Sequence, residues 1–192
     1  MEQSELLAYF TEVLDRLNLS YLVTGSIATS YYGEPRFTND IDVIVELREN
    51  EIEAFCGEFP ANDFYLSPQA VHAAAASKRQ FNILHPQTGL KIDVFVISKS
   101  EFDQSRFQRR RLQQIDENFS VWFASPEDVI LKKLVYFREG NSEKHIRDIL
   151  GVLKIQGSAI DLEYISDWAN RLALTDLWHD VRARFEGDNH KS

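Results

Sequence analysis

Thr38-Asn39-Asp40-Ile41-Asp42-Val43-Ile44-Val45 is where a polar loop gives way to an apolar run, and two carboxylates stand at the junction. The β-branched residues predict a strand over Asp40–Glu46. Side chains alternate along a strand, so Asp40 and Asp42 share one face, about 6.5 Å apart along the chain. Upstream, Tyr21-Leu22-Val23-Thr24 predicts a strand that ends at Gly25-Ser26 and opens a short helix through Ala28 and Tyr32. Downstream, Leu90-Lys91-Ile92-Asp93-Val94-Phe95-Val96-Ile97 is apolar apart from Lys91 and Asp93, as expected of a central strand. Converging carboxylates repel one another, at roughly 3 kcal/mol per pair for a 5 Å separation and an effective dielectric near 20. A cation has to offset that cost, and a divalent metal is the simplest choice.

Size and charge narrow the setting. A chain of 192 residues with 44% hydrophobic and 27% charged residues can build a soluble core without staples. The single cysteine, Cys56, rules out an intrachain disulfide and fits a reducing compartment; on its apolar helix face it reads as a core residue. Met1-Glu2-Gln3-Ser4-Glu5 is unlike a secretory leader, and no apolar run reaches membrane-spanning length, so the cytoplasm is the expected location, with no membrane partner. The net charge of −9 argues against a general nucleic-acid binder, while leaving open an enzyme that receives phosphates through metal ions.

The hydrophobic pattern predicts an N-terminal mixed α/β domain over 1–124, a helical region over 125–186 packed on it, and a disordered tail over 187–192. Helix 1 carries Leu6, Leu7, Phe10, Val13, Leu14 and Leu17, with Ser4 as N-cap. A helix with Ile52, Phe55 and Phe59 follows Asn50, Phe64–Leu66 reads as a short strand, and Ser67-Pro68 starts another helix. Phe81–His85 and Leu90–Ile97 flank Pro86-Gln87-Thr88-Gly89 and read as a hairpin, with His85 exposed at its turn. Ser100–Asp116 reads as a polar helix in which Arg109-Arg110-Arg111 forms a solvated turn or a patch for a polyanion, and Phe119–Ala124 as a strand. Ser125-Pro126-Glu127-Asp128 is a helix start with a hydroxyl cap, an early proline and acids against the dipole. Helices around Ile146–Leu153, Leu162–Ala169 and Thr175–Phe185 complete the chain, and Trp122, Trp168 and Trp178 read as core or interface residues.

Gly-Ser at a strand end, Asp-x-Asp on a strand edge and a lone aspartate in a strand are each common structural features. Their order is more specific: strand, Gly25-Ser26, thirteen intervening residues, Asp40-Ile41-Asp42, then a later strand with Asp93. This order resembles the nucleotidyltransferase superfamily typified by DNA polymerase beta. Within it, Gly33-Glu34-Pro35-Arg36-Phe37-Thr38-Asn39-Asp40-Ile41-Asp42 is similar to the small bacterial branch of AbiEii-like toxins and minimal nucleotidyltransferases of toxin–antitoxin pairs. Ser125 to Leu134 is similar to the family segment with a lysine before a leucine, which aligns Lys133. Lys144-His145-Ile146-Arg147-Asp148-Ile149 resembles Lys-Asp-x-x-Asp-Ile, with His145 in place of an aspartate. Asp148 also reads structurally, as an anchor for a lysine or arginine between helices.

The resemblance implies transfer of an NMP from an NTP to an acceptor hydroxyl with release of pyrophosphate. Asp40, Asp42 and Asp93 are then the catalytic, metal-holding carboxylates, with Asp42 a candidate bridge and Asp93 a candidate general base. Carboxylate donors suit Mg²⁺ or Mn²⁺, and two such ions about 3.5–4 Å apart stabilise the attacking and leaving oxygens of an in-line displacement. Gly25, Ser26, Arg36, Thr38 and Lys133 are the nucleotide-binding candidates; Arg36 reads equally as a loop salt bridge. The acceptor is open between protein, tRNA or other RNA, and small molecule, and a cognate toxin or antitoxin protein is a further expected partner. Two alternatives remain: a non-catalytic toxin–antitoxin component on the same fold, and an antibiotic adenylyltransferase.

Overall fold

The computed structural model describes residues 1–117 and 119–189. It divides into two compact units, one of Met1–Ile27 with Phe37–Ala124 and one of Ala28–Arg36 with the chain from Ser125 onward. Residues 28–36, placed by the sequence reading in the first domain, fall in the helical unit. The reason is a close backbone approach: a Cβ on Gly33 would lie 2.9 Å from the Val152 amide nitrogen, so only glycine lets this loop pack on that helix.

The first unit is built on a six-stranded mixed sheet in the order β3-β4-β2-β1-β6-β5. Its strands are β1 (Tyr21–Thr24), β2 (Asp40–Val45), β3 (Gln80–His85), β4 (Leu90–Val96), β5 (Arg111–Asp116) and β6 (Phe119–Phe123). The central strands β2 and β4 run parallel, β1 is antiparallel to β2 and parallel to β6, and β3–β4 and β5–β6 are antiparallel pairs. One face of its central strands is apolar: Tyr21, Val23, Ile41, Val43, Val45, Ile92, Val94, Val96, Phe81 and Ile83 are all buried. Helices α1 (Gln3–Arg16), α3 (Ile52–Gly57) and α4 (Pro68–Ser77) accompany it, and Phe55 stands edge-on to both Phe10 and Phe81. Each such side chain removed from water contributes about 1.5–3 kcal/mol, which fixes the strand register. The opposite face carries Thr24, Asp40, Asp42, Lys91 and Asp93 at one end of these strands and Leu22, Ile44 and Phe95 further along.

The structure corrects several local expectations. Helix α1 is capped at Glu2, whose N–H donates to the Glu5 carboxylate at 2.7 Å, and not at Ser4. Phe64–Leu66 forms no strand; Tyr65 makes an isolated bridge to Leu84. His85 is buried against Phe64 with its Nδ1 2.8 Å from Thr88 Oγ1, because the turn folds back over the ring. The helix expected over Ser100–Asp116 stops early. Only α5 (Glu101–Gln108) is helical, and Arg111–Asp116 becomes β5 because β6 offers a strand edge to pair with. The arginine triplet is therefore not one helical turn: Arg109 caps α5, Arg110 stacks on Phe107 and Trp122, and Arg111 begins β5.

The second unit comprises most of α2 (Gly25–Tyr32), then α6 (Pro126–Gly140), α7 (Glu143–Gln156), α8 (Leu162–Arg171) and α9 (Thr175–Asn189). Ser125 caps α6, its hydroxyl accepting from the Asp128 N–H at 3.2 Å. The buried stripe of Ile130, Leu131, Leu134, Ile146, Ile149, Val152, Leu153, Ile165, Trp168, Trp178 and Val181 forms its core. The tail expected to be disordered from Gly187 is helical to Asn189, since one glycine costs a helix only about 1 kcal/mol; the remaining tail residues, 190–192, lie outside the described residues. No helix among the described residues is long and apolar enough to cross a membrane.

Candidate active site

Strand register brings the three sequence-predicted carboxylates to the polar face of the first unit. Asp42 pairs with Thr24 on one side and with Asp93 on the other, and Asp40 pairs with Lys91. Because β2 and β4 are parallel and in step, Asp42 and Asp93 are direct cross-strand neighbours. Asp40, at the strand mouth, is exposed, while Asp42 and Asp93 are half-buried.

Gly25 follows Thr24 immediately and turns the chain into α2 with φ +61°. The Asp42 carboxylate lies over it: a Cβ at position 25 would come within 1.9 Å of Asp42 Oδ2. Gly25 and Ser26 thus stand at the start of an eight-residue helix beside the carboxylates, where backbone N–H groups and the helix dipole favour an anion. Thr38 precedes the strand with its hydroxyl 3.4 Å from the Asp40 backbone nitrogen, and its carbonyl accepts from Gln3 Nε2 at 2.8 Å.

Two residues of this face went unmarked in the sequence reading. Lys91 Nζ is 2.8 Å from Asp93 Oδ2 and 3.5 Å from Asp40 Oδ1. Hydrogen bonding to Asp93 raises the Lys91 pKa, so its ammonium stays charged. The i, i+2 spacing of Lys91 and Asp93 carried that signal, since both must share a strand face. The second is Arg106, buried beneath the end of β1, which donates to Thr24 Oγ1 at 3.2 Å and to Asp103 Oδ1 at 3.0 Å. Nothing in the sequence distinguishes it from the other arginines of a polar helix.

Arg36 and Lys133 belong to the second unit, where one carboxylate holds both. Arg36 Nε lies 3.2 Å from Asp148 Oδ1, and the buried Lys133 Nζ lies 2.6 Å from Asp148 Oδ2. Burial lowers the Lys133 pKa, and Asp148 opposes the shift. His145 lies beside Tyr136, with ring centroids 5.7 Å apart; burial and then the Lys133 charge lower its pKa, so the imidazole is neutral at pH 7. Asp148 therefore has the anchoring contacts that its structural reading requires.

The donor set of the first unit consists of carboxylate oxygens, the chemistry that hard divalent ions select. Among the described residues, no group of three or more His, Cys, Asp or Glu stands close enough to hold a metal ion as it is. The Lys91 ammonium supplies the positive charge between Asp40 and Asp93 instead.

A mixed sheet with two carboxylates on one strand, a third on its parallel neighbour and a Gly-Ser helix start is the arrangement that the resemblance to nucleotidyltransferases of the DNA polymerase beta type implies. The profile described as nucleotidyl transferase AbiEii toxin, type IV toxin–antitoxin system, matches residues 18–190, and the chain belongs to that family. No curated protein matches it significantly in sequence. Among solved structures, ANT(2″)-Ia in complex with adenylyl-2″-tobramycin superposes with a TM-score of 0.57 at 13% identity, over 97% of this chain and 98% of that one. The lincosamide antibiotic adenylyltransferase LnuA, lincomycin-bound, gives a TM-score of 0.53 at 12% identity, over 81% of this chain and 98% of that one. At such identities the likeness is one of fold.

Proposed function

We propose that this nucleotidyltransferase moves an NMP from an NTP to an acceptor hydroxyl, using Asp40, Asp42 and Asp93 as its catalytic carboxylates and acting as the toxin of a cytoplasmic toxin–antitoxin pair. The observation that carries this reading is the Asp42–Asp93 cross-strand pair, set beside Gly25 at the start of α2. When bound, Mg²⁺ or Mn²⁺ supplies Lewis-acid stabilisation of the reacting phosphate oxygens.

The chain's own groups have distinct tasks. The α2 N-terminus, with Gly25 and Ser26, holds the phosphates through N–H donors and a hydroxyl. Thr38 stays with the proposed nucleotide-binding set, at the mouth of β2. Asp93 takes the acceptor's proton from its half-buried place beside Asp42 on the neighbouring strand. Asp42, pressed over Gly25, presents its carboxylate in a fixed orientation toward whatever those N–H groups bind. Lys133 and Arg36, the phosphate cations implied by the family resemblance, are both engaged with Asp148, so the proposal does not rest on them.

The test is transfer of label from each of the four α-labelled NTPs, with Mg²⁺, to protein, tRNA and small-molecule acceptor pools. Label should appear in one pool and fall at least about 100-fold in Asp42→Asn, the scale of losing one major electrostatic contact to a transition state. Transfer that survives Asp42→Asn and Asp93→Asn unchanged would overturn the assignment.

A further inference from the structure

Lys91 occupies the position on the polar face where positive charge is most needed. Its ammonium bridges Asp93 on its own strand and Asp40 on the neighbouring one, at 2.8 and 3.5 Å. On the far side of Asp93, Asn82 stands opposite in the β3–β4 register, and with its amide turned to donate, Nδ2 lies 2.7 Å from Asp93 Oδ1. One Asp93 oxygen is thus held by a neutral amide and the other by a cation.

Building on the function proposed above, we infer that Lys91 is a positioning residue: an internal counter-ion that holds Asp40 and Asp93 and gives up its place when a divalent ion and nucleotide arrive. An ammonium on a flexible four-carbon stem suits this exchange; a guanidinium would lock both carboxylates in a planar fork. The Lys91 side chain is 29% exposed, so it has a route to water when displaced. A divalent ion arriving alone must expel this cation and meets its repulsion. One arriving with a triphosphate brings anionic oxygens that can receive the displaced ammonium. Metal and nucleotide binding are therefore positively coupled, each raising the affinity for the other by the same factor.

The experiment titrates Mn²⁺ alone, read as free Mn²⁺ by electron paramagnetic resonance, into wild type, Lys91→Met, Lys91→Gln and Lys91→Arg. Thermal unfolding of each variant verifies its fold. Lys91→Met and Lys91→Gln should bind Mn²⁺ at least about tenfold more tightly than wild type, from removal of one like charge beside the site. Lys91→Arg should bind no more tightly than wild type. Lys99→Met, which removes an exposed lysine beyond β4, should leave the affinity unchanged. Adding a non-hydrolysable NTP should tighten Mn²⁺ binding more in wild type than in Lys91→Met. Equal Mn²⁺ affinity in wild type and both neutral variants, with binding still abolished by Asp42→Asn, overturns the inference and leaves the carboxylate site standing. No Mn²⁺ binding in any variant, with or without nucleotide, overturns the proposed function together with the inference.

Discussion

The carboxylate of Asp42 lies directly over the α-carbon of Gly25, so that a Cβ there would sit 1.9 Å from Oδ2 and 2.5 Å from Cγ. Gly25 also has a φ of +61°, where an L side chain is strained. Two independent demands thus meet at one residue: the turn that opens α2 and the room that the Asp42 carboxylate needs. The Gly-Ser signal is a geometric requirement of Asp42, beside the phosphate-binding role proposed for it.

Gly25→Ala should therefore damage function more than stability. The left-handed backbone costs roughly 1–2 kcal/mol for a residue with a Cβ. Asp42 must also swing away, and transfer should fall at least about 100-fold, the scale for loss of a preorganised electrostatic contact. Label-transfer rates beside urea denaturation separate the two effects. A variant with near-normal transfer would show that the Asp42 orientation is not used.

Part of this arrangement was legible in the sequence because strand alternation is rigid: the spacing of Asp40 and Asp42 puts both on one face. The register that makes Asp42 and Asp93 neighbours was not legible, because it depends on β2 and β4 pairing across the 44 residues between them in the chain, 46–89. Arg111–Asp116 was misread as helix for a similar reason. Its two apolar residues, Leu112 and Ile115, fall on opposite faces of a regular strand and show no alternation, and only the exposed edge of β6 makes it a strand. Residues 28–36 joined the helical unit through the close approach of Gly33 to α7, a contact with no periodic trace.

Asp148 neutralises two cations, one of which is buried with it, and removing it should be costly. Asp148→Ala leaves the Lys133 ammonium out of water and without its carboxylate, a change worth about 3–5 kcal/mol when a buried pair is broken from one side. Asp148→Ala with Lys133→Met should recover most of that loss. A double-mutant cycle by urea denaturation measures the coupling, and additive losses would contradict it.

Arg106 ties α5 to the end of β1 through Thr24, directly beside Gly25. Arg106→Leu removes that bond and the one to Asp103, and should cost roughly 1.5–3 kcal/mol, the range for hydrogen bonds to charged groups. Arg106→Lys should not restore it, because a single ammonium cannot span both partners as the guanidinium fork does. Equal stability of the Lys variant and wild type would contradict this account.

Tyr21 gives the protein an alkaline signature of known sign. Its phenol is buried on β1, and burial pushes its pKa up from 10.0 to about 12. Between those values the unfolded chain has released the proton while the folded chain keeps it. The unfolded state then binds fewer protons, so stability falls as pH rises through that window. Lys91 adds a fall of the same sign above the ordinary lysine range, because its folded pKa is raised by Asp93. Lys133, whose pKa burial lowers, contributes the opposite slope below that range. Tyr21→Phe removes only the phenol's share. Its stability relative to wild type should be flat at neutral pH and should rise between pH 10 and about 12, measured by urea denaturation across that range. A difference that stays constant would mean that the phenol reaches water in the folded protein, and that the apolar face of the sheet is less tightly closed at β1 than its burial indicates.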